Sequence, residues 1–128
     1  MSHGGMTMEN GGKEYMKLLF SIKSNKVLEE VFKEMEAQVN KWGEQNHASY
    51  TYPDVTLGQR VTNADEAKII CDSKMDVGNG SWTDIFLEEA LEAVDEAREG
   101  NKEMLRMELI QVAAVAVSWV MSIDRNGR

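Results

Sequence analysis

One cysteine, one proline and no uninterrupted apolar run of bilayer-spanning length set the first limits on this chain of 128 residues. With Cys71 alone, no intramolecular disulfide can form, which suits a reducing cytoplasm and a role as a small buried apolar side chain. The most apolar stretch, Leu109 to Met121, is interrupted by Gln111 and Ser118 and is too short for a membrane-spanning helix, so no membrane partner is expected. Basic residues are scarce as well: 14 Lys and Arg against 22 Asp and Glu give a formal charge of −8. That balance argues against DNA or RNA as a partner, because phosphate-backbone binding rests mostly on Lys and Arg. It leaves room for a small phosphorylated ligand, provided a divalent cation stands between phosphates and carboxylates. Met1 to Gly12 offers glycines and polar residues but no apolar signal-peptide core, and residues 1–20 read as a flexible tail ahead of a single domain at 21–128.

What is abundant is Glu, Ala, Met, Leu and Lys, straight side chains that lose little freedom in a helix. The expected fold class is therefore all-α. A first helix starts near Ser24 or Asn25, carries Leu28, Val31, Phe32, Met35, Val39 and Trp42 at helical spacing, and ends near Gly43. From Glu44 to Arg60, where Asn46, Ser49, Pro53, Asp54 and Gly58 fall without a period, a surface loop is expected. A second helix fits Asn63 to about Met75, with Asp65 and Glu66 in its first turn. Gly78-Asn79-Gly80 breaks it, and Ser81-Trp82-Thr83-Asp84 supplies a capping box for a third helix, 82–99. Gly100 closes that helix and Asn101 caps a fourth, 102–124. So short a connection forces the last two helices into an antiparallel hairpin.

Helix three carries Glu88, Glu89, Glu92, Asp95 and Glu96, a row that by itself suits a solvated face opposite Phe86, Ala90, Ala93, Val94 and Ala97. Glu89, however, borders the apolar stripe. Helix four is apolar nearly all round between Leu109 and Met121, the pattern of a helix surrounded by protein, and Glu108, Gln111, Ser118 and Ser122 draw one polar line along it. Its apolar surface exceeds what one hairpin covers, which points to self-association. Glu92 precedes Gly100 by about as many residues as Glu108 follows it, and Glu89 pairs with Gln111 in the same way. Four oxygen-bearing side chains can then converge from two helices, an arrangement that suits magnesium or manganese better than zinc.

These residues resemble the signature of the MazG-like nucleotide pyrophosphohydrolases: ExxE, a spacer, then ExxD. Glu89, Glu92 and Glu108 match its first three acids, and Gln111 stands where the aspartate would be, a neutral carbonyl in place of a charged ligand. The run Gln38-Val39-Asn40-Lys41-Trp42-Gly43-Glu44-Gln45-Asn46-His47 is similar to an element of phage and bacterial members, as is Gln111 to Val117 followed by Trp119.

The resemblance implies a four-to-five-helix bundle that assembles as a homodimer or homotetramer. It also implies magnesium-dependent hydrolysis of a nucleoside triphosphate to the monophosphate and pyrophosphate. Glu89, Glu92, Glu108 and Gln111 would hold the metal, and Glu88 or Glu96 would orient the attacking water. Lys68 and Lys74 are candidate phosphate contacts or plain surface lysines. Trp42, Gln45 and Asn46 are candidates for a base pocket, with a core position the alternative for Trp42. His47 reads as a loop or cap residue, and Trp82 and Trp119 as packing residues. A second reading is a non-catalytic nucleotide-binding or structural helical oligomer in which Gln111 marks lost chemistry.

Overall fold

The computed structural model describes residues 8–52 and 61–128. Four α-helices follow in order, α1 (Met8–Trp42), α2 (Ala64–Asp76), α3 (Trp82–Glu99) and α4 (Lys102–Asn126), so the all-α class holds. Compact units run up to Glu30 and from Val31 to Arg128. This division differs from the expected tail of 1–20 and domain of 21–128. Helix α1 starts at Met8, well before Ser24: Lys13 to Lys23 contains no residue that stops a helix, and Gly11 and Gly12 lie within it. Pro53, Asp54 and Gly58 of the expected loop lie outside the described residues.

The ends of α2, α3 and α4 are fixed by side chains the sequence displays. Asn63 caps α2 by accepting from Glu66 N at 3.0 Å. Ser81 and Asp84 form the reciprocal capping box of α3, and Gly100 ends it with φ 77°, a left-handed conformation that costs glycine least. Asn101 then caps α4 through Met104 N.

Two long-range ties set how these helices meet. Asp95 Oδ2 accepts from Ala64 N at 2.9 Å, and Arg98 donates to Thr62 O, so the start of α2 sits at the end of α3 and the two run antiparallel. After α1 the chain crosses the start of α3: Trp82 N donates to Ala48 O at 3.0 Å and Thr83 N to Ser49 O at 3.1 Å. Those bonds satisfy amide donors that a helix N-terminus leaves without intrahelical partners.

The same corner holds a buried ion pair. Lys74 Nζ lies 3.0 Å from Asp84 and donates to Thr51 O at 3.0 Å, with Lys74 6% and Asp84 2% exposed. Asp84 also accepts from Ser81 N and Oγ, so both of its oxygens are engaged. Such pairing is what permits charges this deeply buried.

Among the described residues the buried apolar core is small: Val31, Ala67, Cys71, Trp82, Ala93, Ala114 and Val115. Of the apolar stripe expected on the first helix only Val31 is buried, while Leu28, Phe32, Val39 and Trp42 are exposed. Helix α4 is likewise not surrounded, contrary to its apolar pattern. Ala114, Val115 and Ser122 are buried, but Leu109, Val117, Val120 and Met121 face outward, because neighbouring helices cover only one side. By length and composition α4 is long and apolar enough to cross a membrane, which the count from Leu109 to Met121 missed. Its polar line nevertheless turns toward protein.

Candidate metal centre

The antiparallel register of α3 and α4 brings three carboxylates together. Glu89, Glu92 and Glu108 each offer an oxygen, all within 4.8 Å of one another, and all three side chains are half-buried. Gln111 completes the group. Its amide nitrogen faces Glu89 Oε2 at 2.9 Å and Glu108 Oε2 at 3.3 Å. The equal spacing about Gly100 read from the sequence is therefore the spacing that makes these side chains neighbours.

Three acids this close repel one another, and the repulsion appears in their acidities. Burial, followed by the charges of Glu88 and Glu108, pushes Glu89 up to about 7. Burial pushes Glu92 up to about 8, aided by its hydrogen bond to Glu108 and the charge of Glu89. The cluster as a whole therefore retains a proton near neutral pH, while the Gln111 amide supplies N–H donors. A divalent cation could take over both functions, since half-buried hard oxygen donors suit magnesium or manganese.

Glu88 turns toward α2 instead. It accepts from the Cys71 thiol and lies 3.9 Å from Lys68 Nζ, and burial raises its pKa. Cys71 itself is held at about 12, first by burial and then by the charge of Glu88, so it remains a neutral thiol. Glu96 follows Glu92 by one helical turn, and its Oε2 is buried with no donor among the described residues. Glu34 of α1, which the sequence reading did not include, places its charge close enough to Glu89 to raise that pKa further. Its signal was weak, since an acid on an exposed-looking helix face has no spacing to mark it.

The expected substrate contacts fare unevenly. Lys68 is exposed and paired with Asp72 at 3.1 Å, beside Glu88 at the rim of the cluster. Lys74 is not available to phosphate, because Asp84 and Thr51 hold its ammonium inside the fold. Trp42 is not in the core: it is 63% exposed, with Lys41 Nζ 4.9 Å from its ring centre. Asn46 docks the end of α4, its Oδ1 accepting from Arg125 and Asn126. Gln45 alone of that trio lines a cleft, together with Gln38, Trp82, Ser118 and Arg125.

Trp119 packs as expected, against Phe86 and with its Nε1 donating to Ser49 Oγ at 2.9 Å. His47 meets the edge of Trp82, ring centres 5.4 Å apart, and its pKa is lowered by burial and by Arg128. Comparison with protein-family models, curated proteins and solved structures gives no match.

Proposed function

We propose that this chain is a magnesium-dependent nucleoside triphosphate pyrophosphohydrolase of the MazG-like type, releasing the monophosphate and pyrophosphate. The observation that carries the reading is the convergence of Glu89, Glu92 and Glu108 within 4.8 Å, with Gln111 beside them. Carboxylates that must hold a proton to coexist are poised to exchange it for a cation. Magnesium bound there would supply the positive charge that draws in phosphate oxygens and eases deprotonation of an attacking water.

The chain's own residues have separate tasks in this scheme. Glu89, Glu92 and Glu108 would hold the cation, with the Gln111 carbonyl as a further oxygen donor. Glu96, with a buried oxygen in need of a donor one turn from Glu92, is best placed to orient water. Glu88 is already engaged with Cys71 and supports Lys68, whose ammonium can meet phosphate oxygens at the rim. Homodimer or homotetramer formation is part of the same proposal, supported by the exposed Leu109, Val117, Val120 and Met121 of α4. A reducing, cytoplasmic setting is supported by the lone buried thiol.

The test is a panel of ribo- and deoxynucleoside triphosphates, with pyrophosphate release followed with and without magnesium. Release that requires magnesium and disappears in Glu92→Gln and Glu108→Gln is the expected result. Gln111 favours a second reading, a nucleotide-binding or structural oligomer without catalysis. That reading gains if triphosphates bind and no pyrophosphate is released.

A further inference from the structure

Residues 13–26, in the first half of α1, carry a charge opposite to that of the chain. Lys13, Lys17, Lys23 and Lys26 stand against Glu14 alone, a net charge of +3, whereas the whole chain carries −8. All other residues together therefore sum to −11, and a basic segment in so acidic a chain points to a partner of its own. The one acid is already engaged, with Lys17 Nζ 3.4 Å from Glu14.

The same residues divide into two faces. At about 100° per residue, Tyr15, Leu18, Leu19 and Ile22 recur at i, i+3, i+4 and i+7, and Met16 and Phe20 widen that stripe on one flank. Lys13, Glu14, Lys17, Ser21 and Ser24 occupy the other side. Tyr15, Met16, Leu18, Phe20 and Ile22 are all exposed, Phe20 at 74%, so the chain itself leaves this apolar arc uncovered.

Two features select a lipid surface over a protein groove as its cover. The arc runs from Leu18 round to Phe20, more than half of the helix, whereas a seam between two helices is a narrow stripe. Lys23 also falls inside the arc, between Leu19 and Met16 on the wheel. In a protein groove its ammonium would need a dedicated buried acid, while at a bilayer surface its stem lies along the apolar arc and its charge reaches the headgroups.

We propose that residues 13–26 form an amphipathic helix that lies in the plane of an anionic phospholipid surface. Tyr15, Leu18, Phe20 and Ile22 enter the boundary of the acyl chains, and the lysines meet the phosphates of the headgroups. The rest of the chain, at −11, is repelled by such a surface, so any attraction to it belongs to this segment. Lying on a bilayer needs no spanning run, which is why apolar run length alone gave no sign of it.

Flotation of the full chain with vesicles of phosphatidylglycerol and phosphatidylcholine in equal parts, against vesicles of phosphatidylcholine alone, tests this. Co-flotation with the anionic vesicles only, weakened by added salt, is the expected result. The double variants Leu18→Asp/Ile22→Asp and Lys17→Glu/Lys23→Glu should each lower affinity at least about tenfold, the first through lost insertion and the second through lost charge. Both should melt with wild type, because all four side chains are exposed, which sets misfolding aside as the cause. Absence of flotation with the anionic vesicles, or equal flotation with both kinds, overturns the proposal. Flotation that both variants retain also overturns it and moves the contact to the exposed face of α4. If wild type does not float and the same variants dissociate a dimer by light scattering, the arc belongs to a second copy instead.

Discussion

Glu92 on α3 and Glu108 on α4 bring carboxylate oxygens within 4.8 Å of each other across the hairpin, close enough that the pair retains a proton near neutral pH. That proton is what a cation has to displace.

Magnesium binding should therefore strengthen with pH. Glu92 is raised to about 8 and Glu89 to about 7, so between pH 6 and 8.5 the site passes from protonated to fully charged. Calorimetric titration in buffers of different ionisation heat should show release of about one proton per bound ion near pH 7.5, and affinity independent of pH over this range would contradict the shared proton.

The same shifts fix the sign of the stability profile in the absence of metal. For a carboxyl raised in the folded state, the stabilisation is fully present below the ordinary value of 4.5 and is lost as pH rises through about 7 and 8. Thermal melts in EDTA should accordingly fall between pH 6 and 8.5, and saturating magnesium should flatten or reverse the trend.

Glu92→Gln separates fold from chemistry. The amide keeps a hydrogen-bond donor beside Glu108 and cannot ionise, so the metal-free variant should melt above wild type at pH 8.5 while losing magnesium binding and at least about a hundredfold in pyrophosphate release. Gln111→Asp should act in the opposite sense. A fourth carboxylate in place of an amide that faces Glu89 and Glu108 lowers metal-free stability at neutral pH and tightens magnesium by about tenfold.

Lys68 and Lys74 should behave differently despite their common helix. Lys74→Met leaves Asp84 buried and uncompensated and should cost about 3–5 kcal/mol by denaturant unfolding. Lys68→Ala should leave unfolding close to that of wild type, because its ion pairs are solvent-screened, and raise KM for the triphosphate.

Local grammar explains what the sequence determined by itself. The caps at Asn63, Ser81 with Asp84, Gly100 and Asn101 act within three or four residues, so the bounds of α2, α3 and the hairpin turn were legible, and equal spacing about Gly100 then set which acids of α3 and α4 meet. Helix α1 was less legible, since it runs through Gly11 and Gly12, and its stripe from Leu28 to Trp42 was read as core although only Val31 is buried. Tertiary structure alone decided the rest. Lys74 and Lys68 carry the same charge on the same helix, and only the approach of Asp84 and Thr51 separates a buried ion pair from a surface lysine. In the same way Trp42 lies outside and Trp82 lines the cleft, because burial depends on which distant segments cross a side chain, and no local spacing encodes that.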